Sequence, residues 1–158
     1  MVTKCSSQSP RERILACMRG QPMDRIPLEE PIIRRVHEAG AVCHVHCHGR
    51  VRSTLELALA RGADFFEPME GPPDGDITMA EAKSLVAGRM ALGGNVQARV
   101  LEKGCPEEVE TATRAALEGD CRRMVLRNTA GPISDFDAVM HANYHRLVDV
   151  WEQLSPDH

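Results

Sequence analysis

The chain has 158 residues, of which 42% are hydrophobic and 27% charged, and its formal net charge is −4. This length suits one domain with its own core. The negative charge gives no electrostatic case for a nucleic-acid partner, and no apolar run is long enough to span a membrane. The N-terminal residues lack the apolar segment of a signal peptide. The six cysteines form no CxxC pair, so we expect reduced thiols in a cytoplasmic protein.

The first thirty residues predict a tail, a helix and a connector. Residues 1–9 are expected to form a disordered tail. Ser9 and Pro10 then open a helix as its N-cap and first helical residue, and Gly20 ends it. The remainder of the segment 10–30 contains prolines that favour an extended connector.

Residues 31–154 repeat a strand–helix pattern. Short apolar segments predict strands at 41–46, 63–68, 90–96 and 123–127. After a first helix at 32–38, helices are predicted at 51–60, 79–86, 106–118 and 135–153. Four βα units are typical of an α/β fold with a parallel sheet. We therefore predict a partial TIM (βα) barrel of about four parallel strands with flanking helices, with its chemistry in the loops at the carboxyl ends of the strands.

The first of these strands ends in a segment rich in histidine, Cys43–Gly49. Because side chains alternate along a strand, His44, His46 and His48 should share one face. Imidazoles that converge in this way can hold a divalent metal ion. The alternative is that they hydrogen-bond neighbouring loops and bind no metal. His44 lies deeper in the strand, and we expect it to be a satisfied core histidine.

The following loops supply further candidate site residues. Glu67, at the end of the second strand, is expected to be a metal ligand or an acid/base group, with Glu70 as an alternative ligand. Asn95 is a candidate catalytic contact at the barrel mouth, and Arg50 is a candidate for binding a substrate carboxylate. For the two glutamates and for Arg50 the alternative role is an ordinary solvated side chain. Gly93 and Gly94 precede Asn95, and a turn explains these glycines as well as a ligand contact at the barrel mouth does.

Two other groups of reactive side chains have weaker functional interpretations. Cys47 lies beside the histidines but should point away from them, so we expect it to take no part. His141 and His145 are one turn apart on the last predicted helix and are expected to be neighbours. A solvated helix face is the preferred account of that pair.

Several sequence stretches occur in a characteristic order between about residues 10 and 153. They are Arg11-Glu12-Arg13-Ile14-Leu15-Ala16, Asp24-Arg25-Ile26-Pro27, His46-Cys47-His48-Gly49, Gly62-Ala63-Asp64, Glu67-Pro68, Gly75-Asp76, Ala80-Glu81-Ala82-Lys83 and Gly94-Asn95-Val96. Together they resemble the uroporphyrinogen decarboxylase superfamily. That group includes porphyrinogen decarboxylases and zinc-dependent methyltransferases that work with corrinoid proteins. His46-Cys47-His48-Gly49 resembles the HxCG loop of the methyltransferase branch.

The resemblance implies metal-assisted methyl transfer from a small methylated substrate or a corrinoid, with the corrinoid carried by a partner protein. The resemblance favours zinc as the metal. The residues themselves offer His46, His48 and Glu67 as its ligands, and this donor set also suits iron or manganese. Decarboxylation of uroporphyrinogen, a lyase reaction of porphyrin biosynthesis, is the alternative. The methyltransferase branch binds zinc through a histidine, a cysteine two residues later and a distant cysteine. Here His48 stands at the first cysteine position, and no cysteine lies in the range 128–131.

The resemblance also concerns length, because the barrel of that superfamily is about twice as long as this chain. The stretches matched here correspond to its opening helix and the second half of its barrel, with an apparent junction near residues 28–31. A half barrel leaves two open sheet edges. We therefore expect either a homodimer or a complex with the missing half-barrel. The alternative is a truncated, inactive or partner-dependent half.

Overall fold

The computed structural model describes residues 8–9, 11–12, 15–16, 19–21, 30–131 and 135–155. They belong to two units, Met1–Cys43 and His44–His158. In the first unit the Ser9 hydroxyl accepts a hydrogen bond from the Glu12 N–H at 3.3 Å, and the Glu12 carboxylate accepts one from the Ser9 N–H at 2.6 Å. This reciprocal pair confirms the predicted N-cap.

The other described helix of the first unit is α1, Glu30–Glu38. It begins two residues before the predicted helix, and Arg35 pairs with Glu38 at 2.9 Å. Most of the predicted tail, at residues 1–7, lies outside the described residues. So does most of the predicted connector, at residues 22–29.

The second unit contains a parallel sheet of four strands in the order β1-β2-β3-β4. The strands are β1 (His44–His46), β2 (Phe65–Met69), β3 (Ala91–Val96) and β4 (Met124–Asn128). This confirms the predicted number, direction and sequence order of the strands. β1 is shorter than predicted because residues 41–43 have no strand pairing.

Helices follow each strand of this sheet. They are α2 (Arg52–Arg61), α3 (Met79–Val86), α4 (Ala98–Lys103), α5 (Pro106–Leu117) and α6 (Ala138–Leu154). The sequence predicted all of them except α4, which has only six residues and lies within a segment interpreted as a loop. The architecture is the expected partial (βα) barrel. In the described part of the chain, no helix combines the length and apolar character needed to cross a membrane.

The helices pack against one face of the sheet and leave the other face open. Val96 of β3 is buried in a cluster with Leu101 and Val109, and Leu126 of β4 packs against this cluster. The alternate residues of the strands face the other way. We call this opposite side the open face, and it carries the side chains of His44, His46, Glu67, Val125 and Arg127. Val125 is 52% exposed there, because the second unit alone provides no opposite barrel wall.

Candidate metal and catalytic site

The open face brings together side chains from three strands around the carboxylate of Glu67. Glu67 Oε1 lies 3.0 Å from His44 Nε2 and 2.5 Å from His46 Nδ1. Its other oxygen, Oε2, is in an ion pair with Arg127 Nη1. The register of β1 against β2 explains the first two contacts, because His46 is aligned with Glu67. Side-chain alternation places His44 on the same face.

Glu67 is a buried carboxylate, with an exposure of 2%. Its Oε2 atom accepts no hydrogen bond of normal geometry among the described residues, so its charge is compensated there by the ion pair with Arg127. Burial by itself raises the pKa of Glu67. The hydrogen bond from His46 and the positive charge of Arg127 outweigh that effect and lower the pKa below its usual value. Glu67 is therefore ionised at neutral pH.

Gly93 of β3 provides the space that this carboxylate needs. A Cβ atom at Gly93 would lie 2.7 Å from Glu67 Cβ and 2.7 Å from Phe65 Cζ, closer than side chains pack in folded proteins. From the sequence, a turn and a ligand site explain the two glycines before Asn95 equally well. The structure places Gly93 within a strand, where its missing side chain makes room for Glu67.

A second carboxylate supports His48. The Nδ1 atom of His48 lies 3.2 Å from Glu70 Oε1, and the other oxygen of Glu70 accepts a hydrogen bond from the Gly49 N–H. The Nε2 atoms of His46 and His48 lie 2.9 Å apart. The four side chains form one continuous row in the order Glu67, His46, His48, Glu70.

The partners of the two imidazoles determine which nitrogens carry lone pairs. A carboxylate beside Nδ1 favours the tautomer that has its proton on Nδ1. With this tautomer, both His46 and His48 would have a lone pair on Nε2, at the two atoms that lie 2.9 Å apart. A shared proton or a bound cation would remove their repulsion. Two nitrogens that bind one ion at about 2.0–2.1 Å are about 2.9 Å apart at a right angle and about 3.3 Å apart at the tetrahedral angle. The observed spacing is therefore close to that of two ligands of one metal ion.

His46 also belongs to a second set of potential metal ligands. His44, His46 and Glu67 offer ligand atoms that all lie within 4.8 Å of one another. The prediction that His44 is a core histidine is wrong, because its side chain is 45% exposed on the open face and pairs with Glu67. The prediction failed because this face has no covering wall in the second unit.

The other predicted site residues lie around this group. Asn95 is half-buried on β3, aligned with Arg127 of β4. The side chain of Arg50 is 86% exposed, and its Nε atom is 3.9 Å from the Asp76 carboxylate. Cys47 is half-buried, with its sulfur 3.9 Å from the His48 carbonyl oxygen. Their roles stay predictions.

Arg127 is a site residue that the sequence did not predict. It lies in the segment 123–127, which was interpreted as an apolar strand without a functional residue. The signal that could have identified it is a charged residue in a strand of a parallel sheet, because both faces of such a sheet are usually apolar.

Comparison with known proteins gives a structural match. No family model matches the sequence, and no curated protein matches it. One matching solved structure is a methyltransferase from Methanosarcina mazei. The identity is 19% and the TM-score is 0.63, over 93% of this chain and 38% of the methyltransferase. The chain thus spans well under half of that protein's length, and the similarity shows the fold of a partial TIM barrel.

Proposed function

We propose that this chain carries the metal-binding half of a methyl-transferring barrel of the uroporphyrinogen decarboxylase type. The observation that carries the proposal is the 2.9 Å separation between the Nε2 atoms of His46 and His48. The Nδ1 atom of each ring contacts a carboxylate. The resemblance of the His46–Gly49 loop to the HxCG loop supports it, as does the fold shared with a methyltransferase. No comparable feature favours porphyrinogen decarboxylation.

In the proposed site, His46 and His48 would hold zinc through their Nε2 atoms. Both oxygens of Glu67 already have partners, His44 and His46 on one side and Arg127 on the other. We therefore assign Glu67 to holding the Nδ1 proton of His46, rather than to the direct ligation that the sequence predicted. Glu70 would do the same for His48. Carboxylates in this position fix the tautomer and raise the basicity of a metal-binding imidazole.

Zinc, when bound, supplies a Lewis acid that activates a thiol or a water molecule. The remaining residues would orient the substrate, a small methylated compound or a corrinoid carried by a partner protein. Asn95 is the proposed polar contact at the mouth, and Arg50 is the proposed contact for a substrate carboxylate. The donor set does not fit the thiolate-bound zinc of the methyltransferase branch, because neither metal-facing side chain is a cysteine.

The proposed enzyme would need a second half-barrel. β1 and β4 are the two edge strands of the sheet, and the open face leaves the histidines about half exposed. We propose that a second copy of the chain, or a separate chain that supplies the absent half, covers this face. We also propose a cytoplasmic location, where the cysteines would stay reduced.

Turnover assays test the proposed reaction. The purified protein is incubated with a methylated corrinoid and a thiol, and the loss of the methylcorrinoid absorbance is followed. A parallel sample receives uroporphyrinogen, and release of carbon dioxide is followed. We expect demethylation in the first assay, abolished in a His46→Ala, His48→Ala variant and retained in an Arg122→Ala variant. Decarboxylation without demethylation would favour the alternative enzyme, and no turnover in either assay would favour an inactive half.

A further inference from the structure

A second pair of histidines lies on the last helix, apart from the site on the open face. His141 and His145 are one turn apart on α6, both are exposed, and their Nε2 atoms lie 3.2 Å apart. The ring centroids are 4.4 Å apart. From the sequence, this helix face is expected to be solvated, with no common role for the two imidazoles.

Neighbouring groups position the first of these imidazoles. The Phe136 ring meets the His141 ring edge-on, with centroids 6.1 Å apart at an interplanar angle of 87°, and it also packs 5.5 Å from Tyr144. The Asp137 side chain caps the helix by accepting a hydrogen bond from the Met140 N–H. Because the helix start is fixed and His141 has an aromatic neighbour, the pair is partly organised without a ligand.

The geometry points to a second binding site for a divalent transition-metal ion, with His141 Nε2 and His145 Nε2 as its protein ligands. Two nitrogens that bind one ion at about 2.0–2.1 Å and lie 3.2 Å apart enclose an angle of about 100° at the ion. That angle falls between the tetrahedral and octahedral values. Histidines at positions i and i+4 of a helix are a recurrent zinc-binding arrangement because they share one face.

The surroundings indicate how such a site would behave. Metalloproteases with this spacing have a glutamate directly after the first histidine as a general base, but here that residue is Ala142. The site would therefore bind metal without hydrolytic activity. Among the described residues, the one group of three or more potential ligands is His44, His46 and Glu67. The α6 pair therefore has two protein ligands, and its ion should exchange more readily than one held on the open face.

Calorimetric titration with Ni²⁺ tests this site separately from the first. The full chain carrying His46→Ala and His48→Ala, freed of metal with a chelator, is titrated with Ni²⁺ alone. We expect binding of about one ion per chain. Adding His141→Ala or His145→Ala should weaken it at least tenfold, because each removes half of the chelate. Glu152→Ala, an exposed change on the same helix, should leave the affinity unchanged.

Thermal unfolding distinguishes a metal site from a simple hydrogen bond between the imidazoles. Ni²⁺ bound to the folded chain should raise the melting temperature of the His46→Ala, His48→Ala protein. It should not raise the melting temperature after the additional His145→Ala change. Circular dichroism shows whether each variant has kept its helices. The proposal is overturned if Ni²⁺ affinity is equal with and without the α6 histidines, or if Ni²⁺ does not bind.

Discussion

The Nε2 atoms of His46 and His48 face each other at 2.9 Å, and the Nδ1 atom of each ring lies beside a carboxylate. Two neutral imidazoles held in this way would direct their lone pairs at each other. The arrangement is favourable when a proton or a metal ion lies between them. The proposed metal site rests on this relationship, and we expect Glu67, Arg127 and Gly93 to maintain it.

The first prediction concerns the space beside Glu67. In a Gly93→Ala variant the new Cβ would meet Glu67 and Phe65 at 2.7 Å, so one of these side chains must move. We expect a loss of about 1–3 kcal/mol in unfolding free energy and a weaker metal site, measured by urea unfolding and metal analysis. Gly131→Ala is the matched control, because a Cβ there meets no atom of the described residues within 4 Å. Equal effects of the two substitutions would argue against this role for Gly93.

The second prediction concerns the stability of the protein in acid. The pKa of Glu67 in the folded chain lies below its usual value of 4.5. Ionised Glu67 therefore stabilises the fold above that pH, and this contribution is lost as the pH falls through the lowered pKa. A Glu67→Gln variant should be less stable at pH 7, and its stability should fall less than that of the original protein between pH 6 and pH 3. Urea unfolding at a series of pH values measures both effects.

The control for Glu67→Gln is the same substitution at an exposed carboxylate. Glu152→Gln, at an exposed position on α6, should leave the pH profile almost unchanged. If Glu67→Gln and Glu152→Gln gave the same profile, then Glu67 would not be the paired, buried carboxylate described above.

The third prediction concerns the ion pair of Arg127. An Arg127→Met variant leaves the buried Glu67 carboxylate without its cationic partner, so the pKa of Glu67 should rise. We expect a loss of about 2 kcal/mol, less than for a fully buried pair because Arg127 is partly exposed. An Arg122→Met variant should have no measurable effect, because its partner Asp120 is on the surface. A stability of Arg127→Met equal to that of the original protein would show that the ion pair contributes little.

The fourth prediction concerns assembly. Because the open face and the edge strands of the sheet are uncovered within the second unit, we expect the purified chain to associate. Light scattering coupled to size exclusion should give twice the mass of one chain, or a larger complex when the absent half-barrel is co-expressed. A monodisperse monomer that unfolds in one sharp thermal transition would contradict this prediction.

Much of the fold could be predicted from the sequence, because its signals are local. The spacing of short apolar segments indicates the strands of the second unit. Residues typical of helix starts, such as Thr78 and Pro106, indicate its helices. The short helix α4 was missed because six residues give too little periodicity to recognise. The limits of β1 depend on pairing with β2, which a local pattern does not contain.

The site was only partly predictable, since its contacts join distant parts of the chain. Strand alternation was sufficient to place His44 and His46 on one face. The ion pair of Glu67 with Arg127 depends on how β2, β3 and β4 lie side by side, over a separation of sixty residues. Gly93 could not be distinguished from a turn glycine without knowing that Glu67 lies against it.

The most direct test of the central claim is the metal content and coordination of the protein purified without chelators. We predict about one zinc ion per chain, lost in a His46→Ala, His48→Ala variant and retained in a His141→Ala, His145→Ala variant. X-ray absorption should then show nitrogen or oxygen neighbours at about 2.0–2.1 Å and no sulfur at about 2.3 Å. Absence of bound metal, equal metal content in the His46→Ala, His48→Ala variant, or sulfur coordination would contradict the account.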